Sequence, residues 1–84
     1  MASREAKAIS RLRDARGALP YLDVSRALRA LGWVEAKGRG SHKLWIKAGS
    51  DPLGFPVRHP GGYVLPFYWP RIRRRVGLEV SEDE

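Results

Sequence analysis

The run Gly38-Arg39-Gly40-Ser41-His42-Lys43-Leu44-Trp45-Ile46-Lys47 gathers more reactive chemistry than any other part of this chain. Two glycines allow backbone N–H groups to approach an anion, and the arginine and lysines supply positive charge. A histidine is the side chain type that can carry a proton in either direction under physiological conditions. A phosphate held beside a group that moves protons is the equipment for cutting a phosphodiester. Cleavage of RNA without metal needs a base for the 2′-hydroxyl, an acid for the leaving oxygen and cations for the phosphorane. His42 is the candidate for the proton transfer. Arg39, Lys43 and the N–H groups of the turn through Gly40 and Ser41 are candidates for the phosphate. The second histidine, His59, stands in Arg58-His59-Pro60 and reads as a surface loop residue.

The charge balance points to the same kind of ligand. The 84 residues carry 16 Lys and Arg against 9 Asp and Glu, a formal net charge of +7. Glu79, Glu82, Asp83 and Glu84 are among those acids, so positive charge is denser still in the body of the chain. Such a body is drawn to polyanions, and nucleic acid rewards clustered Arg and Lys through counterion release. There is no cysteine, which excludes disulfides and thiolate metal sites. No histidine pair at helical spacing suggests a metal, no nucleotide fingerprint suggests a cofactor, and neither is expected. No apolar run reaches the ~20 residues of a membrane span, and the N-terminus lacks a signal-peptide pattern, so a cytoplasmic location is expected.

The elements that must position these residues follow in order. Residues 2–16 are good helix formers with a thin apolar face of Ala6, Ile9 and Leu12, punctuated by Gly17 and Pro20. A basic accessory helix is expected over 1–20, one that docks loosely, rides on a partner or frays. Asp23 is a favourable N-cap, and Val24, Ala27, Leu28 and Leu31 recur at i, i+3, i+4 and i+7, which predicts an amphipathic helix closed by Gly32. A strand from Trp33 or Val34 to Lys37 and a second from His42 to Ala48 flank the glycine turn. Alternation sends His42, Leu44 and Ile46 to one face, and Ser41, Lys43, Trp45 and Lys47 to the other. The second set reads as a basic face with Trp45 as an aromatic platform, or else Trp45 packs against a neighbour. His42 must then lie at a ragged strand end to escape the core side.

Gly49 to Gly62, with Pro52, Pro56 and Pro60, reads as a long connection with at most a short extended piece at Phe55, Val57 and Arg58, and Tyr63 to Phe67 as the third strand, its later part placed on an edge or ended by Pro66. Pro70 opens a short helix whose Ile72 and Val76 face inward, while Arg71, Arg73 and Arg74 extend the phosphate track. Gly77 ends it, and an acidic, disordered tail is expected over 79–84. The sum is an α+β domain over 21–78 with a three-stranded antiparallel sheet, helices on one face, and a core of Leu28, Leu31, Val34, Leu44, Ile46 and Val64.

The order of elements, with Asp23-Val24-Ser25-Arg26-Ala27-Leu28-Arg29-Ala30-Leu31-Gly32-Trp33 leading into Gly40-Ser41-His42-Lys43, resembles the HicA (YcfA-like) toxin family. The pattern can be followed from Asp23 to about Lys47 and resumes at Val64-Leu65-Pro66 and from Ile72 to Leu78. The first twenty residues lie outside it. The resemblance implies a double-stranded-RNA-binding-like α-β-β-β-α fold with an extra N-terminal helix, and mRNA interferase activity in which His42 is catalytic. It also implies a HicB-type antitoxin as protein partner. The alternative function is binding without catalysis. One such reading is a winged-helix DNA binder, with the Asp23 helix as reader and residues 33–48 as wing. The other is an inactive relative that still binds RNA.

Overall fold

Ser3 starts the first helix as its hydroxyl allows, accepting from the Ala6 amide at 3.0 Å and so satisfying a donor that every helix start leaves open. The structure, a computed structural model, describes residues 3–59 and 61–78. The expected acidic tail at 79–84 lies outside the described residues. The first helix, α1, runs Arg4–Asp14 and buries Ala8 and Leu12, one turn apart, with Ile9 packed beside them. Its narrow stripe was expected to dock loosely. Instead Leu12 is fully buried and joins Val24, Ala27 and Leu28 in one core, because small Ala8 lets the helix backbone approach its neighbour closely.

A two-residue strand, β1 (Leu19–Pro20), leads directly into α2 (Tyr21–Ala30). This helix begins two residues before the expected cap. Pro20 sits at the cap position without a side-chain bond, and Asp23 lies in the first turn, 3.3 Å from Arg11 on α1. A carboxylate there also suits the helix dipole. At the far end Trp33 N–H donates to the Leu28 carbonyl at 2.9 Å and Gly32 N–H to that of Arg29 at 3.0 Å, the double bond of a Schellman closure.

Three consecutive antiparallel strands follow in sheet order, β2 (Val34–Ala36), β3 (His42–Ile46) and β4 (Leu53–Pro56). β4 comes from the stretch read as a connection, and the expected third strand shrinks to β5 (Tyr63–Val64), which pairs with β1 in a separate ribbon. The reason lies in what each segment can bury. In β4, Leu53 and Phe55 alternate with Gly54 and Pro56, so one face is strongly apolar, and an edge position tolerates the proline. The register sets Trp45 opposite Leu53 and Lys43 opposite Phe55.

That register also decides which face of β3 is inside. Trp45 is fully buried while Ile46 is 45% exposed and Val34, its cross-strand partner, 67% exposed. The expected faces are therefore reversed, and Val34, Leu44 and Ile46 are not core. Only this arrangement buries Trp45, Leu53 and Phe55 together; the other would have buried Gly54 and Pro56 in their place. An aromatic side chain removes ~150–250 Å² from water, about 4–6 kcal/mol at ~25 cal/mol per Å², which outweighs Leu44 and Ile46. Leu28 and Val64 are core as expected.

After β5 a 3₁₀ turn (Pro66–Tyr68) passes into α3 (Trp69–Val76), closed at Gly77. Ile72 is buried and Val76 packs against the core, as their spacing predicts. Trp33 and Trp69 are core residues too, and the Trp69 indole donates to the Gly17 carbonyl at 2.8 Å. Among the described residues no helix is long and apolar enough to cross a membrane.

Candidate nucleic-acid interface

The turn between β2 and β3 is shaped by one steric demand. A Cβ on Gly38 would lie 2.1 Å from the His42 carbonyl oxygen, so no side chain fits there. The glycine expected to admit a phosphate instead admits the chain's own backbone. The His42 amide donates to the Arg39 carbonyl at 2.9 Å, and the Val57 amide to the Ser41 carbonyl at 2.9 Å, which ties the turn to the end of β4. His42 is the first residue of β3, opposite Pro56, and is exposed. It needs no ragged end to escape the core, because the reversed faces turn it outward along with Leu44 and Ile46. Among the described residues its side chain makes no hydrogen bond or ion pair, and neither does that of Arg39 beside it. Gly40 and Ser41 are exposed as well, so the tip of the turn is open to solvent.

The remaining expected contacts divide. Lys43 lies on the inner side, its ammonium 5.3 Å from the centre of the Tyr21 ring. Lys47 donates to the Leu31 carbonyl at 2.9 Å and so finishes the C-terminus of α2. Trp45 cannot serve as a platform. It is fully buried, Arg29 covers its ring at 5.4 Å, and Tyr21 stands 6.5 Å away, centre to centre. Its indole nitrogen is buried without a partner of hydrogen-bond geometry.

Beneath β3 a polar network takes the place of the expected basic face. The Tyr21 hydroxyl donates to Glu35 at 2.8 Å, and Arg29 donates to Glu35 and Ser25, both at 3.2 Å. Burial first, and the bond to Glu35 second, push the Tyr21 hydroxyl well above the ordinary tyrosine range, against smaller opposing effects of Trp45 and Arg29. This network clamps α2 to β2, the strand paired with the one that carries His42.

On α3 the arginines also part company. Arg73 turns back to α1, donating to the Leu12 carbonyl at 2.9 Å and to that of Ala15. It caps α1, which ends beside it with unsatisfied carbonyls. Arg75 reaches the Asp51 carbonyl at 3.2 Å, and Arg71 the carbonyl of Gly54, so α3 braces β4. Arg74 is exposed and lines an open hollow of about 410 Å³ with Phe67, Tyr68, Pro70 and Arg71.

Phe67, 80% exposed, is the one exposed Phe, Tyr or Trp among the described residues, at a position where a strand was expected. The signal that could have found it is the Pro66-Phe67 pair, since a proline there stops the ladder and begins a turn. A second hollow, about 280 Å³, lies between α1 and α2 and is lined by Arg4, Glu5, Arg26, Arg29 and Ala30. Among the described residues no three His, Asp or Glu side chains come together as a metal site would require. Comparison of the chain with protein-family models, with curated proteins and with solved structures finds no match in any of the three.

Proposed function

We propose that the protein is an RNA-binding domain of the HicA-like, toxin type, with a double-stranded-RNA-binding-like arrangement of its sheet, and that it cleaves mRNA with His42. The observation that carries this reading is the exposed, unengaged His42 imidazole at the mouth of a glycine turn that also presents the unengaged Arg39. In the reaction the neutral imidazole takes the proton of a ribose 2′-hydroxyl. The 2′-oxygen then attacks the adjoining phosphorus, and the 5′-oxygen of the next nucleotide leaves with a proton from water or the imidazolium. Arg39 and the turn at Gly40 and Ser41 hold the phosphate as its charge builds. Such an enzyme acts in the cytoplasm and is kept silent by an antitoxin protein of HicB type.

The consecutive order of β2, β3 and β4 supports this over a winged-helix DNA binder, in which a two-stranded wing would follow the reading helix. A second reading, RNA binding without cleavage, is favoured by the absence, among the described residues, of any second proton donor bonded to His42. A mixed pool of transcripts incubated with the protein separates them. Wild-type protein is expected to cut RNA and leave a 2′-deoxy analogue intact, while His42→Ala binds and does not cut. Binding by wild type with no cleavage of any transcript would sink the nuclease and leave the binder.

A further inference from the structure

Phe67 is a large apolar ring held in water, and the way it is held is unusual for an incidental exposure. Its backbone sits in the 3₁₀ turn that Pro66 opens, with the Tyr68 amide donating to the Leu65 carbonyl at 3.2 Å. Its ring meets Tyr68 edge to face, centres 5.2 Å apart at 81°. Tyr68 is in turn covered by the Arg71 guanidinium at 6.0 Å, and Arg71 is anchored on the Gly54 carbonyl. The ring is thus braced by its neighbours while most of its surface stays open. Arg74, one turn further along α3, lines the same hollow. At about 410 Å³ the space lies within the ~300–1,000 Å³ usual for small-ligand sites.

A rigid aromatic face beside guanidinium groups is the arrangement that binds an unpaired nucleotide. The base stacks on the ring, whichever base it is, and the arginines take the flanking phosphate. We propose that Phe67, with Arg71 and Arg74, forms a stacking site for one unpaired base of single-stranded RNA where the 3₁₀ turn enters α3, built from residues other than those of the His42 turn. The site rests on the reading of the domain as an RNA binder and names the form of RNA it takes. The net charge of +7 favours a polyanion over an apolar protein segment as the occupant.

The test uses a fluorescently labelled single-stranded oligoribonucleotide and a matched oligomer of the same length lacking bases. Phe67→Ala is expected to weaken binding of the first by about tenfold or more, the usual worth of one stacked base. It should leave the slope of log affinity against log salt unchanged, because no charge is lost. Phe67→Trp should restore affinity, and its added indole should be quenched by the base-bearing oligomer and not by the base-free one. The other three tryptophans are buried, so that signal stands apart. Equal affinities for wild type and Phe67→Ala, with no quenching, would overturn the stacking site while leaving RNA binding in place. No binding of the oligomer by wild type would overturn the RNA reading and the stacking site together. A thermal melt of Phe67→Ala matching wild type shows that the loss is not unfolding.

Discussion

Two basic stretches of this chain put their charge to opposite uses. The turn before β3 leaves Arg39 in solvent beside the exposed His42. The run on α3 spends Arg73 and Arg75 on backbone carbonyls of α1 and of the approach to β4. Each of these arginines counts alike toward the net charge of +7, but Arg73 and Arg75 are spent on the fold while Arg39 stays available to a ligand. A guanidinium makes a good strut because its planar fork of donors can satisfy several carbonyls and still keep an edge in water. In a domain this small, where helices are short and their ends lie close together, such capping replaces core that the chain is too short to build. Composition therefore overstates the surface available for phosphate.

The comparison can be broken most forcefully at the turn. Gly38→Ala would force a Cβ into the His42 carbonyl oxygen and is expected to cost about 3 kcal/mol or more of stability, since backbone atoms must move on both sides of the hairpin. A denaturant titration measures it. A loss below about 0.5 kcal/mol, within the range of an ordinary surface change, would mean that the turn is soft, and that His42 is not held in the position described. Arg73→Ala is the next largest, at about 1.5–3 kcal/mol, from the two carbonyls of α1 left without their charged donor. Its melting temperature should fall while the salt dependence of RNA binding stays that of wild type. A lowered salt slope would show Arg73 on the phosphate track after all.

How far these roles could be read in advance depended on the range of the interactions that set them. The α2 helix was legible because Val24, Ala27, Leu28 and Gly32 carry their signal within a few residues of one another. The β2–β3 hairpin was marked by its glycines, and α3 by Pro70 with Ile72 and Val76. β4 was hidden by Pro52 and Pro56, which argue against a central strand but not against an edge. Leu53 and Phe55, two apart, were the clue. Missing that strand also reversed β3, since nothing local to His42–Ile46 reveals that Leu53 and Phe55 must face the same way as Trp45. For the site, the glycine turn and His42 could be found by residue type alone. The strut at Arg73 could not, because its partners Leu12 and Ala15 lie at the other end of the chain and are carbonyls, which every residue has.

Arg39→Ala is the smallest change in stability and the sharpest test of the contrast. With no partner among the described residues, its side chain contributes nothing that a melt should detect, and stability should stay within about 0.5 kcal/mol of wild type. Its effect belongs to binding. Removing one phosphate contact on a single strand should lower the slope of log affinity against log salt by about 0.7, and affinity should fall similarly for every RNA sequence, since a phosphate contact reads none. Arg39→Ala and Arg73→Ala then form a crossed pair, one losing ligand without stability and the other stability without ligand. If Arg39→Ala lowers the melting temperature as Arg73→Ala does, both arginines are struts, and the phosphate-binding part of the turn reduces to its backbone.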